Sequence, residues 1–285
     1  MKITRQGTYL GATIEGFQLD PSDPELGTTL KELLAAYKVV MFKRQFLSPQ
    51  AHRDVAACIA TPEIHPFGSE DDPVVQGITP FQPYPDLPEV SGIYHTAEHT
   101  GNLNAWHSDL NWRAEPTYVS LLTARKVPPV GGDTAFADMS AAFTTMDPAL
   151  RQELSGLKVE HDWMRIYQKS FAANPELLKE LRERYPAQLH PLVLTHPVTK
   201  APVLFSNKVS GCAIHGTSTE RHRELLDLVH RRAWIPEFQC RFTWEVGDLA
   251  MWDNLAVQHY AVSDYSPHER RMERVTVTSH GLWEA

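Results

Sequence analysis

Cysteine is scarce in this chain: Cys58, Cys212 and Cys240 are the only three among 285 residues. They are widely spaced and form no C-x-x-C pair, which argues against a disulfide framework and against a thiolate zinc site. A reducing, cytoplasmic setting is the expectation that follows. Basic residues are also in short supply, 27 Lys and Arg against 35 Asp and Glu, for a formal net charge of −8. That balance disfavours a nucleic-acid binder, which needs a basic face. No apolar run approaches the roughly 20 residues that span a bilayer, so no membrane partner is expected. The opening Met1-Lys2-Ile3-Thr4-Arg5-Gln6-Gly7 lacks the apolar stretch of a signal peptide. Internal repeats and low-complexity segments are lacking as well. What remains is 42% hydrophobic and 22% charged, the composition of a globular protein with a substantial core.

The elements interleave too closely for a domain cut, so one domain over residues 1–285 is expected. Leu30, Leu33 and Leu34 are spaced for one buried face of a helix over Leu26 to Tyr37. Val39-Val40-Met41-Phe42 reads as a buried strand. Ser48-Pro49 has the chemistry of a helix cap and first helical residue, predicting a helix to about Ala60. Residues 61–104 are proline-rich and acidic, which predicts an irregular segment, and its position before a histidine motif makes it a candidate lid. Tyr118 to Val127 alternates as a strand, and Gly131-Gly132-Asp133 follows as a turn. Helices are predicted after Pro148, from Pro175 to Arg184, and from a Thr219 cap to Arg232. The last third is strand-rich: Val203–Ser206, Cys240–Glu245, Leu249–Trp252 and Met272–Thr278.

The chemistry concentrates in two places about 150 residues apart. In Trp106-His107-Ser108-Asp109 the two ligand-type residues are two apart, so on a strand both face one way. The spacing alone is also met by an exposed histidine beside a solvated aspartate. The second place is Trp252-Asp253-Asn254 followed by Gln258-His259, with His259 expected just past a strand end; a histidine bonded to a backbone carbonyl would also fit there. Together His107, Asp109 and His259 read as a two-histidine, one-carboxylate triad that leaves one face of an Fe(II) ion open. Strand periodicity then puts Arg270, Met272 and Arg274 on one face, with Arg271, Glu273 and Val275 on the other. Two arginines within an apolar strand need anions to pair with, and carboxylates match their geometry. Solvated arginines on an edge strand are the other possibility.

The ordered set W-H-S-D, G-G-D-T, W-D-N-x-x-x-Q-H and R-R-M-x-R-V-T resembles the Fe(II)/2-oxoglutarate dioxygenases of the taurine dioxygenase and 2,4-dichlorophenoxyacetate dioxygenase family. The resemblance extends over nearly the whole chain and includes Gly11-Ala12-Thr13-Ile14-Glu15-Gly16 and Lys38–Phe42. It implies a mainly β protein with flanking helices, a double-stranded β-helix of the jelly-roll or cupin type. It also implies Fe(II), with 2-oxoglutarate and O₂ as co-substrates. By position it assigns His107, Asp109 and His259 to iron. Thr134, Trp252 and Arg270 fall to 2-oxoglutarate, and His65 and Arg274 to the anionic group of a substrate.

The chain departs from taurine dioxygenase where a pocket tyrosine becomes Gly68, an asparagine becomes Leu103 and a tryptophan becomes Phe136. These changes imply a larger and less polar pocket, with Leu103 and Phe136 against the substrate. Trp163, Tyr167 and Phe171 would be either further aromatic walls or core. The expected reaction is hydroxylation of a medium-sized organic anion, such as a carboxylic acid, sulfonate, sulfate ester or aryloxy acid, with succinate and CO₂ released. Desaturation, epimerisation or ring formation would use the same oxidant. A zinc hydrolase leaves Thr134 and the arginines without a task, a halogenase lacks the carboxylate that Asp109 provides, and a non-catalytic barrel has no need of an intact triad. Homo-oligomerisation is left open.

Overall fold

The computed structural model describes residues 1–67, 82–98, 104–167 and 175–283. Gly68, Leu103 and Phe171 lie outside them, as do residues 68–81 of the expected lid.

The protein is strand-rich. Its first five strands are β1 (Lys2–Arg5), β2 (Ala12–Glu15), β3 (Val39–Phe42), β4 (Pro62–Glu63) and β5 (Ser91–His95). Then come β6 (Val119–Lys126), β7 (Thr134–Asp138), β8 (Lys158–His161), β9 (Gln188–Pro191), β10 (Val193–Thr195), β11 (Pro202–Leu204) and β12 (Gly211–His215). The last four are β13 (Gln239–Phe242), β14 (Leu249–Asp253), β15 (Val257–Ala261) and β16 (Arg270–Val277). An eight-stranded sheet runs β1-β2-β3-β14-β6-β16-β4, with β5 also paired to β16. A three-stranded sheet runs β13-β7-β15, and β12-β8-β9 and the β10–β11 pair complete the set.

Period-two alternation explains why the central strands read as continuous apolar runs, since both faces of the large sheet are buried. Val40, Phe42, Leu121, Leu249, Met251, Val275 and Val277 point to one core. Helices α1 (Leu26–Tyr37) and α2 (Pro49–Ala57) cover it through Leu30, Leu34, Val55 and Ala56. Their alternates Val39, Met41, Leu122, Ala250, Trp252 and Met272 point the other way and meet Phe136, Val257, Cys240 and Phe242 of the small sheet. The functional pocket opens off this inter-sheet layer. Among the described residues no helix is long and apolar enough to cross a membrane.

Several boundaries differ from expectation for identifiable reasons. Ser48 caps α2 by accepting from the Ala51 N–H, as its residue type predicts, but the helix ends at Ala57. The helix Thr219–Arg231 is capped by Ser218, which accepts from the Arg221 N–H, so Thr219 is already helical. The stretch expected to be irregular contains β4 and β5, and β5 is held by a five-pair antiparallel register to β16. That pairing is long-range, and proline density nearby obscures it in the sequence. It also makes β16 an interior strand, which removes the edge-strand alternative for its arginines. The strands β8, β9 and β12 are short and half-exposed, so no apolar alternation marks them.

Candidate metal and oxo-acid site

His259 stands in the middle of β15 rather than beyond a strand end. His107 is not in a strand at all; it forms an isolated antiparallel bridge directly opposite His259. The bridge is closed by two backbone hydrogen bonds, His107 N–H to His259 O at 3.0 Å and His259 N–H to His107 O at 2.7 Å. The two imidazoles therefore project side by side, with ring centroids 4.1 Å apart. Asp109 lies in the turn that follows, 4.0 Å by Oδ1 from His107 Nε2 and 3.9 Å from His259 Nε2. The three ligand-type atoms lie within 4.8 Å of one another and all three residues are buried.

The surroundings prepare this triad for a cation. His107 Nδ1 meets the Ala105 carbonyl at 2.8 Å. A carbonyl only accepts, so the proton sits on Nδ1 and the Nε2 lone pair faces Asp109. The Asp109 backbone is clamped by Asn254, whose Oδ1 accepts its N–H at 2.9 Å while Nδ2 donates to its carbonyl at 2.6 Å. Ser120 Oγ donates to Asp109 Oδ2 at 2.8 Å, and Arg274 Nη1 donates to Oδ1 at 2.6 Å. Burial works against the Asp109 carboxylate, but Arg274, the two histidines and the Ser120 hydrogen bond outweigh it and hold the carboxyl well below its usual range. Burial pushes His259 down to about 3, with the His107 charge adding to it, so both ligand-type imidazoles are neutral at pH 7.

Arg270 enters the same pocket from the start of β16. Its placement depends on the Gly131-Gly132 turn, where both residues have positive φ. A side chain on Gly131 would strike Asp264, and one on Gly132 would crowd Pro128 and the Arg270 stem. Asp264 Oδ1 accepts the Gly132 N–H at 2.8 Å, and the Gly132 carbonyl accepts from Arg270 Nε at 3.1 Å. Arg270 is 3% exposed, and its Nη2 has no hydrogen-bond partner among the described residues. Burial lowers its pKa below the usual guanidinium value. Thr134 lines the pocket beside it; its Oγ1 accepts from Trp244 Nε1 at 3.0 Å, which leaves the hydroxyl proton to donate elsewhere.

One cavity unites these groups. Its wall includes His107, Asp109, His259, Thr134, Trp252, Arg270, Arg274 and His65. Leu110, Trp112, Leu122, Tyr167 and Val209 make it apolar in between, with Asn104, Asn111 and Ser210 as polar exceptions. His65 Nδ1 accepts from the Phe67 N–H at 3.2 Å, so the neutral ring carries its proton on Nε2. Burial, assisted by Arg274, pushes His65 down to about 3.

Phe136, expected against the substrate, is elsewhere, and of the two roles left open for Trp163 the structure gives core. Phe136 is fully buried one layer back, tilted against Trp252 at 5.4 Å and His259 at 6.1 Å, because β7 points it into the inter-sheet core. Trp163 is fully buried behind the wall, packing with Phe67 and Trp112 in the cluster that backs Leu110 and Tyr167. Arg274 also differs from expectation. It is not a cation without an acid, because Asp109 pairs with it through Nη1 while its side chain lines the cavity. Asn254 and Ser120 went unassigned in the sequence, although an asparagine in W-D-N and a lone serine in an apolar strand were the available signals.

The family model "Taurine catabolism dioxygenase TauD, TfdA family" matches residues 2–276. The chain is 26% identical over 283 residues to an alpha-ketoglutarate-dependent sulfate ester dioxygenase of Pseudomonas putida, covering 94% of this chain and 86% of that protein. A taurine dioxygenase structure from Burkholderia xenovorans superposes with a TM-score of 0.78 at 27% identity, over 97% of this chain and 89% of that one. The structure of AAD-2 in complex with Mn(II) and N-oxalylglycine superposes with a TM-score of 0.76 at 27% identity, over 97% and 96% of the two chains. Sequence motifs, site geometry and chain-long similarity agree, and the protein belongs to the TauD/TfdA family of dioxygenases.

Proposed function

We propose that this protein is an Fe(II)- and 2-oxoglutarate-dependent dioxygenase that hydroxylates a medium-sized anionic organic molecule and releases succinate and CO₂. The observation that carries the reading is the coexistence, in one buried cavity, of a His107–Asp109–His259 cluster and an arginine with a spare donor. The donor set fits iron: two neutral imidazole nitrogens and one carboxylate oxygen on a single face. The spare Nη2 of Arg270 and the free hydroxyl proton of Thr134 fit a carboxylate, as 2-oxoglutarate requires. In this reading His107, Asp109 and His259 hold the metal, Arg270 and Thr134 hold the far carboxylate, and Trp252 forms the flat wall between them.

When bound, the iron supplies the O₂-activating chemistry; the chain's own residues supply position and exclusion of water. The His65 Nε2–H and the free donors of Arg274 receive the anionic group of the substrate. Leu110, Trp112, Tyr167 and Val209 hold an apolar or aromatic body. A carboxylic acid, sulfonate, sulfate ester or aryloxy acid satisfies both ends. We also read the two facing sheets as a distorted double-stranded β-helix that forms one catalytic domain.

Anaerobic addition of Fe(II) and 2-oxoglutarate tests the co-substrate directly, through the visible charge-transfer band of the chelate. A screen of anionic compounds for substrate-dependent succinate formation tests the rest. No band and no succinate with any compound would overturn the reading, and stimulation by neutral compounds alone would overturn the anionic-substrate part of it.

A further inference from the structure

His95 and Tyr265 also line the cavity, at its Arg270 end, and the reading above gives them no task. His95 closes β5 and is the direct cross-strand partner of Arg270. Tyr265 lies in the connection between β15 and β16 and is buried, 7% exposed. The two rings stack with planes 12° apart, and the Tyr265 hydroxyl is hydrogen-bonded to His95 Nδ1.

Burial first, and then the Arg270 charge, lower the His95 pKa from 6.5, so the imidazole is neutral at pH 7. A neutral imidazole can carry its proton on Nδ1 and donate it to the phenol oxygen. The phenol proton is then free to point into the cavity. A carboxylate beside Arg270 favours that arrangement, because each donor then meets an acceptor and the chain of hydrogen bonds polarises toward the negative charge. Three donor-bearing residues from three separate elements line this one cavity, Thr134 from β7, Arg270 from β16 and Tyr265 from the preceding connection, and Tyr265 lies close enough to Arg270 to feel its charge.

We propose that Tyr265 donates a hydrogen bond to the far carboxylate of the bound oxo acid, and that His95 is the positioning residue that orients its hydroxyl. This inference rests on the 2-oxoglutarate reading and adds a selection rule to it: the pair rewards oxo acids that carry a second carboxylate.

The test is calorimetric binding to the Mn(II)-loaded protein, which does not turn over. Two probes are used: 2-oxoglutarate, and pyruvate, a 2-oxo acid with no far carboxylate. Tyr265→Phe is expected to weaken 2-oxoglutarate about tenfold, the scale of one hydrogen bond to a charged group, and to leave pyruvate unchanged. His95→Leu is expected to cause a similar loss, His95→Gln to recover part of it, and Tyr265→Phe/His95→Leu to be no worse than Tyr265→Phe alone, as for residues acting in series. Unchanged 2-oxoglutarate affinity in Tyr265→Phe overturns the inference, as does an equal loss for pyruvate. A wild-type protein that binds neither probe overturns the 2-oxoglutarate reading itself, which separates the two failures.

Discussion

Arg270 and Arg274 sit four residues apart on one face of β16, yet their environments are opposite. Arg270 spends one donor on the Gly132 carbonyl, and its buried Nη2 has no partner among the described residues. Arg274 is answered within the protein, through Nη1 to Asp109 Oδ1 at 2.6 Å. The same side chain on the same strand thus keeps a donor in reserve at one end of the cavity and is committed to a carboxylate at the other. The difference comes from what stands opposite. At Arg270 a glycine turn offers only a carbonyl; at Arg274 a turn held by Asn254 delivers a carboxylate. A buried guanidinium without a paired acid is retained at a cost, and that cost underlies the proposed anion-receptor role of Arg270.

The most severe way to break this contrast is Asp109→Ala, which removes a proposed metal ligand and orphans Arg274 in one step. Substrate-dependent succinate formation should vanish, and chemical denaturation should show a loss of about 3 kcal/mol, the scale for stripping one partner from a buried ion pair. Normal turnover in that variant would refute the triad. Arg270→Lys keeps the charge but not the fork, and should weaken 2-oxoglutarate by about 30-fold. The apparent KM for 2-oxoglutarate should rise more than that for the substrate; an equal rise would contradict the receptor role. Arg274→Met should act on the other end, raising the substrate KM by about tenfold while 2-oxoglutarate binding stays within about twofold.

The smallest expected effect sharpens the comparison by leaving both arginines alone. His52 is fully buried against the Leu121 carbonyl, and its pKa is pushed down to about 3 by burial and then by Arg125. Above pH 6.5 the imidazole is neutral in the folded and the unfolded chain. Below it, the unfolded chain takes up a proton that the folded one refuses. Stability therefore falls as pH falls, by up to about 1.4 kcal/mol per unit until the pH nears 3. Urea denaturation at pH 6 and pH 5 should show wild type losing about 1 kcal/mol more than His52→Gln across that step. An identical loss in both would assign the acid sensitivity elsewhere.

Much of this was legible in the residues. Period-two spacing put Arg270, Met272 and Arg274 on one face, and the structure has Met272 in the inter-sheet layer and both arginines in the cavity. The apolar run Val39–Phe42 announced a strand buried on both sides, and it is. What could not be read was pairing at a distance. Nothing local says that Ser91–His95 joins β16, or that His107 meets His259 through a single bridge, because those contacts are set by the register of strands far apart in the chain. The Arg274–Asp109 pair is of the same kind. It links residues 165 positions apart, and the periodicity that aimed Arg274 at the cavity carried no information about who would meet it. Phe136 shows a different limit: it shares the face of β7 with Thr134, which lines the cavity, but sits behind Trp252 and His259, and positional matching carries no information about depth.

The single bridge between His107 and His259 has a consequence for which ion the protein takes up. Because main-chain bonds fix the spacing of the two backbones from which the imidazoles project, with the His107 ring further held by the Ala105 carbonyl, the binding face works as a largely preset caliper. A caliper of nitrogen, nitrogen and oxygen measures size and admits any divalent first-row ion of similar radius, with affinity rising from manganese toward copper. Manganese, cobalt and nickel should therefore seat in the same place and compete with iron. The choice of metal in the cell is then made by supply, and a preparation purified without added iron should carry whichever ion its host had in excess.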